Sequence, residues 1–435
     1  MREKRSEIKE KVASLETDFL RALRRVMRIP SVKGIEENEA PFGLYPKLAL
    51  LEALEIGCEL GFETKLVNNA MGYVQYGTDE EYVGVVGHLD VVAAGSGWTH
   101  DPFDLTIVDQ IAYGRGVLDN KGPVMSTLFA LYALKELQIP LSRSIRIIFG
   151  SDEESGSADV PLYLAEEAAP VYGFTPDCKY PAVYGERGIV GVEIRTIFAE
   201  GELEVILSVS GNFDPSAIPD SLTLILASGQ IQARGKRAPS NAPELGVNAI
   251  TLLGQLISSD QLSEPSLLAY FHWLGTLHDQ HDGKSLGIDF ADQDSGRLQL
   301  SPVSLERHGS ELVLSLSIRY PISVTEEQLL KQLERQLPAA SYLRVTRSLP
   351  STVFPKDHPM LQVMQEVYEQ VRGEDGTPVT TTGATYARRM PNIVAFGPSF
   401  PGQKGIAHNK DEYMSVADLM SNMEIYALTL AELAK

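Results

Sequence analysis

Apolar residues recur along the chain in two alternating patterns. Apolar side chains at helical spacing, every third or fourth position, occur in residues 18–27, 48–60 and 124–137. Short continuous apolar runs occur in residues 82–87, 145–149 and 392–396. The first pattern is typical of amphipathic helices, and the second is typical of strands buried on both faces of a sheet. Helices that alternate with such strands predict an α/β fold with a mixed, largely parallel sheet.

The pattern changes between about Gly188 and Thr382. Partly alternating strands at residues 203–207 and 221–226 are interleaved there with helices at 247–256 and 325–337. We interpret this stretch as a separate α+β domain inserted into the α/β domain. The expected boundaries are residues 1–187 for the first part of the α/β domain, 188–382 for the inserted domain and 383–435 for the last part.

The composition is consistent with two domains and limits the kinds of partner that the chain is expected to bind. The 435 residues exceed the size at which a single core stops growing, about 250–300 residues. The formal net charge of -20 disfavours nucleic acid, whose phosphates need clustered Lys and Arg. The amino terminus lacks the apolar core of a signal peptide, and no later apolar stretch is long enough to span a bilayer. We therefore expect a cytoplasmic protein with no membrane partner, in which two cysteines are too few for a disulfide framework.

Acidic residues and histidines follow the apolar runs at widely separated points of the chain. They are His88, Asp90, Asp119, Glu153, Glu154, Asp177 and His408. Ligands of α/β sheets collect outside the carboxyl ends of the strands, so we expect these side chains to converge. Imidazoles and carboxylates without thiolates are the ligand set of a hydrolytic zinc or manganese site.

Each of the first five candidates, from His88 to Glu154, also has a simpler interpretation. His88 and Asp90 point to the same side of a strand end, which suits either a metal-bound imidazole held by a carboxylate or a histidine beside a capping aspartate. Asp119 either bridges two metals or caps a helix. The adjacent Glu153 and Glu154 diverge, so one would bind metal while the other acts on water; the alternative is a solvated acidic turn.

The remaining candidates are open in the same way. Asp177 is either a ligand or an ordinary turn residue, and His408 is either a ligand or a surface loop histidine. Cys178 directly follows Asp177 and is either a ligand or a small buried apolar side chain.

The motifs around these residues resemble the co-catalytic zinc exopeptidase family, and most closely its PepV-type bacterial dipeptidases. That family also includes aminoacylases, succinyl-diaminopimelate desuccinylase and carboxypeptidase G-type enzymes. The matching motifs are Ile29-Pro-Ser-Val32, Gly87-His-Leu-Asp-Val-Val92, Gly97-Trp98, Asp101-Pro-Phe103, Gly114 to Gly122, Asp152-Glu-Glu-Ser-Gly156, Phe174-Thr-Pro-Asp177, Gly185-Glu-Arg-Gly188, Gly383-Ala-Thr-Tyr-Ala-Arg388, Ala395-Phe-Gly-Pro398 and His408-Asn-Lys-Asp-Glu412.

The resemblance implies a role for each candidate and a catalytic domain with an inserted lid. Two divalent cations are implied, zinc first, with manganese or cobalt also accepted by such ligands. The implied assignment is His88 and Asp177 on one metal, Glu154 and His408 on the other, Asp119 bridging both, Asp90 orienting His88, Glu153 as general base, and Arg388 and Arg319 on the substrate.

The lid is where the resemblance weakens. The family places an Asn and a His on the substrate and the developing oxyanion, where this chain has Ser216 and Pro239. We expect a metal-dependent dipeptidase acting on small peptides, and a monomer because the lid is internal. The alternatives are an N-acyl amino acid deacylase or carboxypeptidase of the same family, and a catalytically impaired homologue that keeps its metal.

Overall fold

The computed structural model describes residues 2–403 and 405–435, which form two compact units. The first unit comprises Met1–Tyr184, Phe354–Val379 and Gly383–Lys435. The second comprises Gly185–Val353 and Thr380–Thr382. Each unit has its own sheet and its own helices.

Helices and strands alternate through the first unit, and strands dominate the second. The helices are α1 (Arg2–Ser14), α2 (Glu16–Met27), α3 (Leu44–Glu59), α4 (Lys121–Glu136), α5 (Asp159–Leu164), α6 (Ala249–Leu256), α7 (Pro265–Gly275), α8 (Glu326–Glu334), α9 (Pro359–Arg372) and α10 (Val416–Leu433). The strands are β1 (Glu63–Val67), β2 (Met71–Tyr76), β3 (Tyr82–His88), β4 (Thr106–Val108), β5 (Ile111–Tyr113), β6 (Ser144–Gly150), β7 (Tyr172–Thr175), β8 (Cys178–Lys179), β9 (Val183–Glu186), β10 (Gly188–Ile197), β11 (Ile206–Gly211), β12 (Ala217–Ile218), β13 (Ser221–Leu226), β14 (Gly229–Arg234), β15 (Ala238–Pro239), β16 (Ala291–Asp292), β17 (Gly296–Arg297), β18 (Gln299–His308), β19 (Glu311–Tyr320), β20 (Ser341–Leu349), β21 (Thr352–Val353), β22 (Val379–Thr381), β23 (Ile393–Ala395), β24 (Pro398–Ser399) and β25 (Tyr413–Ser415).

A mixed sheet forms the centre of the first unit. Its strand order runs β1-β2-β6-β3-β7-β23-β9. The strands β6, β3, β7 and β23 are parallel to one another, whereas β2 and β9 join them antiparallel. Every residue of β3 is buried, as expected of a strand covered on both faces. The predicted α/β fold with a mixed sheet is confirmed, and the carboxyl ends of its parallel strands lie at one edge.

Two long helices pack against each other in this unit. The helix α4 is buried along most of its length and contacts α10. The side chain of Ser415 accepts a hydrogen bond from the N–H of Asp418 and so caps the start of α10. Leu419, Met423 and Leu430 lie on the buried side of that helix. No helix among the described residues is both long and apolar enough to cross a membrane.

The second unit is an α+β arrangement. A four-stranded antiparallel sheet has the order β18-β19-β10-β20, and a three-stranded antiparallel sheet has the order β11-β13-β14. The helix α6 packs on α7 and on β14. Buried apolar side chains from these sheets and helices form one continuous core.

Two segments differ from the sequence-based expectation. Residues 203–207 are not one strand: Glu202–Val205 is a 3₁₀ turn, and β11 begins only at Ile206. The chain reverses at Gly201, whose φ of 85° favours glycine, and this turn buries Leu203. Residues 354–379, which fall in the expected inserted segment, belong to the first unit, where α9 packs on α10.

Candidate metal centre

Four of the candidate ligands lie where parallel strands of the first unit end. His88 is the last residue of β3, and Asp177 lies two residues beyond the end of β7. Glu153 and Glu154 open a 3₁₀ turn that closely follows β6. Because β3 lies between β6 and β7 in the sheet, the three segments meet at one edge.

Two loops bring the remaining ligands to this edge. Asn120 is the residue that precedes the first turn of α4, so the neighbouring Asp119 is not the helix cap. The Asp119 Oδ1 lies 3.1 Å from the Nε2 of His88, and its Oδ2 lies 3.0 Å from the Nε2 of His408. The same nitrogen of His408 lies 3.1 Å from the Oε1 of Glu154. One carboxylate therefore contacts both imidazoles, each through a different oxygen.

Asp90 supports both the imidazole and the acidic turn. The Nδ1 of His88 lies 2.9 Å from the backbone oxygen of Asp90 and 3.4 Å from its carboxylate Oδ1. That carboxylate accepts hydrogen bonds from the backbone N–H groups of Glu153 and Glu154, at 3.2 and 3.1 Å. Asp90 is buried, so it links the end of β3 to the turn after β6 without contact with water.

Asn120 is a structural partner of the candidate ligands that was not among the residues expected from the sequence. Its Oδ1 accepts the N–H of His88 at 3.3 Å, and its Nδ2 donates to the oxygen of Pro176 at 2.6 Å and to the Oδ1 of Asp177 at 3.3 Å. The other oxygen of Asp177 lies 3.6 Å from the Nε2 of His88. The position of Asn120 directly after Asp119 was the only sign of its role in the sequence, since a buried asparagine has no distinctive spacing.

Asp159 is a second structural partner that was not among the residues expected from the sequence. Its Oδ2 accepts the N–H groups of Ser151 and Asp152 at 2.8 and 3.1 Å, and the hydroxyl of Tyr386 at 2.5 Å. The Tyr386 ring packs edge-on against the imidazole of His88, with centroids 6.3 Å apart. Burial raises the pKa of Asp159 to about 7. An acidic residue in the first turn of a helix is common, so nothing in the sequence singled out Asp159.

The carboxylates around the two imidazoles favour the charged form of each. Hydrogen bonds to Asp119 and Glu154 raise the pKa of His408 to about 11. Burial by itself lowers the pKa of His88, but the carboxylates of Asp177 and Asp119 outweigh it and raise the pKa well above its usual value. The imidazoles therefore sit in a strongly negative environment.

The carboxylates crowd one another. Burial, together with neighbouring carboxylates, raises the pKa of Glu153, Glu154 and Asp177, the last to about 7. Burial also opposes ionisation of Asp119, yet its hydrogen bonds with His408 and His88 hold its pKa well below the usual range. In a partly buried group of carboxylates, burial and mutual repulsion oppose ionisation. Such a group is suited to binding cations, which stabilise the ionised forms.

The donor atoms are also close enough to share metal ions. In the part of the chain that the structure describes, two groups of ligand atoms lie within 4.8 Å of one another and share one imidazole: His88 with Glu153 and Asp177, and His88 with Asp119 and Glu154. Cys178 belongs to neither group, although it follows Asp177 directly. Nitrogen and oxygen donors without sulfur fit zinc, manganese or cobalt.

The two arginines expected to contact substrate lie in different units. Arg388 ends the 3₁₀ turn Tyr386–Arg388 of the first unit and donates through Nη2 to the oxygen of Gly383 at 2.9 Å. Arg319 lies in β19 of the second unit, where it is opposite Ile189. Their contact with a substrate stays a prediction.

This combination is typical of a metal-dependent hydrolase: an α/β sheet whose carboxyl edge holds buried imidazoles and carboxylates. The sequence profile of peptidase family M20/M25/M40 matches residues 84–432. A putative dipeptidase of Bacillus subtilis (strain 168) is 31% identical over 455 aligned residues, which cover 96% of this chain and 97% of the relative. A Beta-Ala-Xaa dipeptidase of Lactobacillus delbrueckii subsp. lactis is 28% identical, with 96% of each chain covered.

A solved structure agrees with the fold. The dipeptidase Dug1p of Saccharomyces cerevisiae superposes with a TM-score of 0.65 at 17% identity and covers 100% of this chain and 99% of its own. The chain belongs to peptidase family M20/M25/M40. The family resemblance predicted from the motifs is confirmed, and so is the prediction of a peptidase or amidohydrolase.

Proposed function

We propose that this chain is a metal-dependent dipeptidase that hydrolyses short peptides with the help of two divalent cations. The main support is the position of Asp119, whose two oxygens contact His88 and His408 separately. Each imidazole has a further carboxylate beside it, Asp177 at His88 and Glu154 at His408. Such an arrangement is suited to two cations that share one aspartate.

The donor set suggests how the cations are divided. His88 and Asp177 would hold one cation, Glu154 and His408 would hold the other, and Asp119 would contact both. All donors are nitrogen or oxygen atoms, which zinc, manganese and cobalt accept. Zinc is the first candidate because the family resemblance implies it. When bound, such a pair of cations polarises the scissile carbonyl and brings the pKa of water down toward about 7.

Glu153 is the proposed general base. Its ligand atom lies within 4.8 Å of those of His88 and Asp177, and its backbone N–H donates to Asp90, which fixes the turn that carries it. From this position its carboxylate takes a proton from the attacking water and passes it to the leaving amine. Asp90 acts as the support of both His88 and this turn.

Arg388 is the proposed binding group for the free carboxylate of the peptide. A guanidinium can donate two parallel hydrogen bonds to a carboxylate, which fixes the orientation of the substrate. The bond from its Nη2 to the oxygen of Gly383 restrains the side chain within the first unit. Recognition of a terminal carboxylate would restrict the enzyme to short substrates.

Two positions of the second unit favour alternatives to a dipeptidase. The hydroxyl of Ser216 donates to the nearby Asp214 at 2.7 Å, and Pro239 has no polar side chain. The two positions are neighbours, because Ala217 pairs with Pro239 and the N–H of Ser240 donates to the oxygen of Ser216 at 2.8 Å. The family resemblance implies Asn and His here. The first alternative is therefore an N-acyl amino acid deacylase or carboxypeptidase of the same family, and the second is a metal-binding homologue without turnover.

One experiment separates these functions. The purified protein is stripped with a chelator, reloaded with zinc, manganese or cobalt, and assayed against a panel of dipeptides and N-acyl amino acids. We expect metal-dependent hydrolysis of dipeptides. Faster cleavage of the N-acyl amino acids would favour the deacylase, and metal binding without hydrolysis of either class would contradict an enzymatic function.

A further inference from the structure

A carboxylate that is not among the proposed ligands is buried next to them. The side chain of Glu412 has no exposed surface. Its Oε1 accepts the backbone N–H groups of Gly116, Leu118 and Asp119, at 3.0, 2.9 and 3.1 Å. Its Oε2 receives a hydrogen bond from the Nη1 of Arg115 at 2.6 Å, and the Arg115 side chain is only 2% exposed. Both oxygens are therefore occupied by one loop.

That loop has little structure of its own. Residues 114–120 connect β5 to α4 without helix or strand. Gly116 has a φ of 96°, a conformation that favours glycine, and a Cβ atom at this position would lie only 3.0 Å from a side-chain carbon of Val91. Buried N–H groups in such a loop need acceptors, and Glu412 supplies one for three of them. Glu412 therefore holds the backbone of this loop, including that of Asp119 itself.

Glu412 also belongs to the segment that carries His408. The next residue begins β25, which pairs antiparallel with β5 so that Tyr413 lies opposite Tyr113. The N–H of Gly114 donates to the backbone oxygen of Glu412 at 3.0 Å. Backbone and side chain of one residue thus tie the loop of Asp119 to the segment of His408.

We propose that Glu412 is a positioning residue of the metal centre. It holds the loop of Asp119 and the segment of His408 in the arrangement in which the Asp119 carboxylate lies between His88 and His408. Arg115 provides the opposite charge that a buried carboxylate needs. This inference rests on the proposed function, since it concerns the geometry of the same cations. Residues that orient metal ligands in this way typically change metal affinity or activity by about 10–100-fold when removed.

The test compares Glu412→Ala with Glu167→Ala. Glu167 is a matched control because it forms a partly buried pair with Arg146 at 2.7 Å in the same unit but contacts none of the proposed ligands. Thermal unfolding of the chelated proteins, zinc titration against a competing chelator, and kcat and KM for a cleaved dipeptide are measured. Both variants should unfold at lower temperature. Only Glu412→Ala should lose about 10–100-fold in zinc affinity and in kcat, with KM little changed.

The following results would contradict the proposal on Glu412. If Glu412→Ala binds zinc and turns over like the wild type while its unfolding temperature falls, Glu412 supports only the fold. Should Glu412→Ala fail to fold, Glu412→Asp keeps the charge but shortens its reach by one methylene, and unchanged zinc affinity in that variant overturns the proposal. A wild type that binds no zinc would instead contradict the proposed function itself, and this inference with it.

Discussion

Two regions of the chain differ in the sequence separation of the contacts that stabilise them. One is the candidate metal centre of the first unit, and the other is the turn at Ser216 in the second unit. In the metal centre, Asp90 accepts hydrogen bonds from a turn more than 60 residues away, at Glu153 and Glu154. In the second unit, the side chain of Ser216 contacts Asp214, only two residues away. The first arrangement exists only when distant parts of the unit are folded together, whereas the side chain of Ser216 is held within its own turn.

The difference separates metal binding from substrate handling. Crowded buried carboxylates are unfavourable in a folded chain unless cations or hydrogen bonds compensate them. The first unit retains every donor that the family resemblance implies, from His88 to His408, and retains Glu153 as well. The second unit has Ser216 and Pro239 at the positions where the family resemblance implies Asn and His. We infer that the chain keeps the hydrolytic chemistry and differs from its relatives in how it receives a substrate.

The largest expected effect is on the proposed base. Glu153→Gln keeps the size of the side chain but cannot accept the proton of the attacking water. We expect kcat to fall by about 10²–10⁴-fold, because that is the usual contribution of a general base, while zinc content stays at the wild-type level. Steady-state kinetics and metal analysis of the same preparation provide the measurement. A variant with nearly normal kcat would reject Glu153 as the base.

A smaller effect is expected from restoring the two replaced side chains. The double variant Ser216→Asn/Pro239→His should raise kcat/KM for a dipeptide by about 10–10²-fold, since a single oxyanion donor contributes about 10²–10³-fold to rate. Zinc content should not change. Ser228→Asn, at an exposed serine of the same unit, is the control for an added amide. No gain in the double variant would mean that these positions do not limit turnover.

The sequence singles out the candidate ligands because each is marked by its own surroundings. His88 ends a continuous apolar run and Glu153 closely follows another, so both positions can be recognised without knowledge of their partners. Asn120, Asp159 and Glu412 have no such mark. The side chain of Glu412, for example, accepts hydrogen bonds from the backbone of a loop up to 296 residues away, and such a pairing is not encoded in local periodicity. The 3₁₀ turn before β11 went unpredicted for a local reason, because it follows the positive φ of Gly201, which the apolar pattern does not reveal.

The two units should also differ in how pH affects their stability. Burial raises the pKa of Asp159 in the first unit to about 7. Burial opposes ionisation of Asp292 in the second unit, but hydrogen bonds from Ser295 and Ser323 lower its pKa to about 2. The stabilisation associated with neutral Asp159 is complete below its unfolded pKa of about 3.9 and is lost as pH rises through 7. That of ionised Asp292 is present above about 3.9 and is lost as pH falls through 2.

Each unit contains one of the two tryptophans, so the two effects can be measured separately. Trp273→Phe leaves Trp98 to report unfolding of the first unit, and Trp98→Phe leaves Trp273 to report the second. In chelated protein, the free energy of unfolding of the first reporter protein relative to its Asp159→Asn variant should decrease between pH 4 and 8, on the order of a few kcal/mol. The corresponding difference for Asp292→Asn should be constant above pH 5 and decrease only in acid. A difference for Asp159→Asn that is independent of pH would show that its carboxyl is not held neutral by the fold.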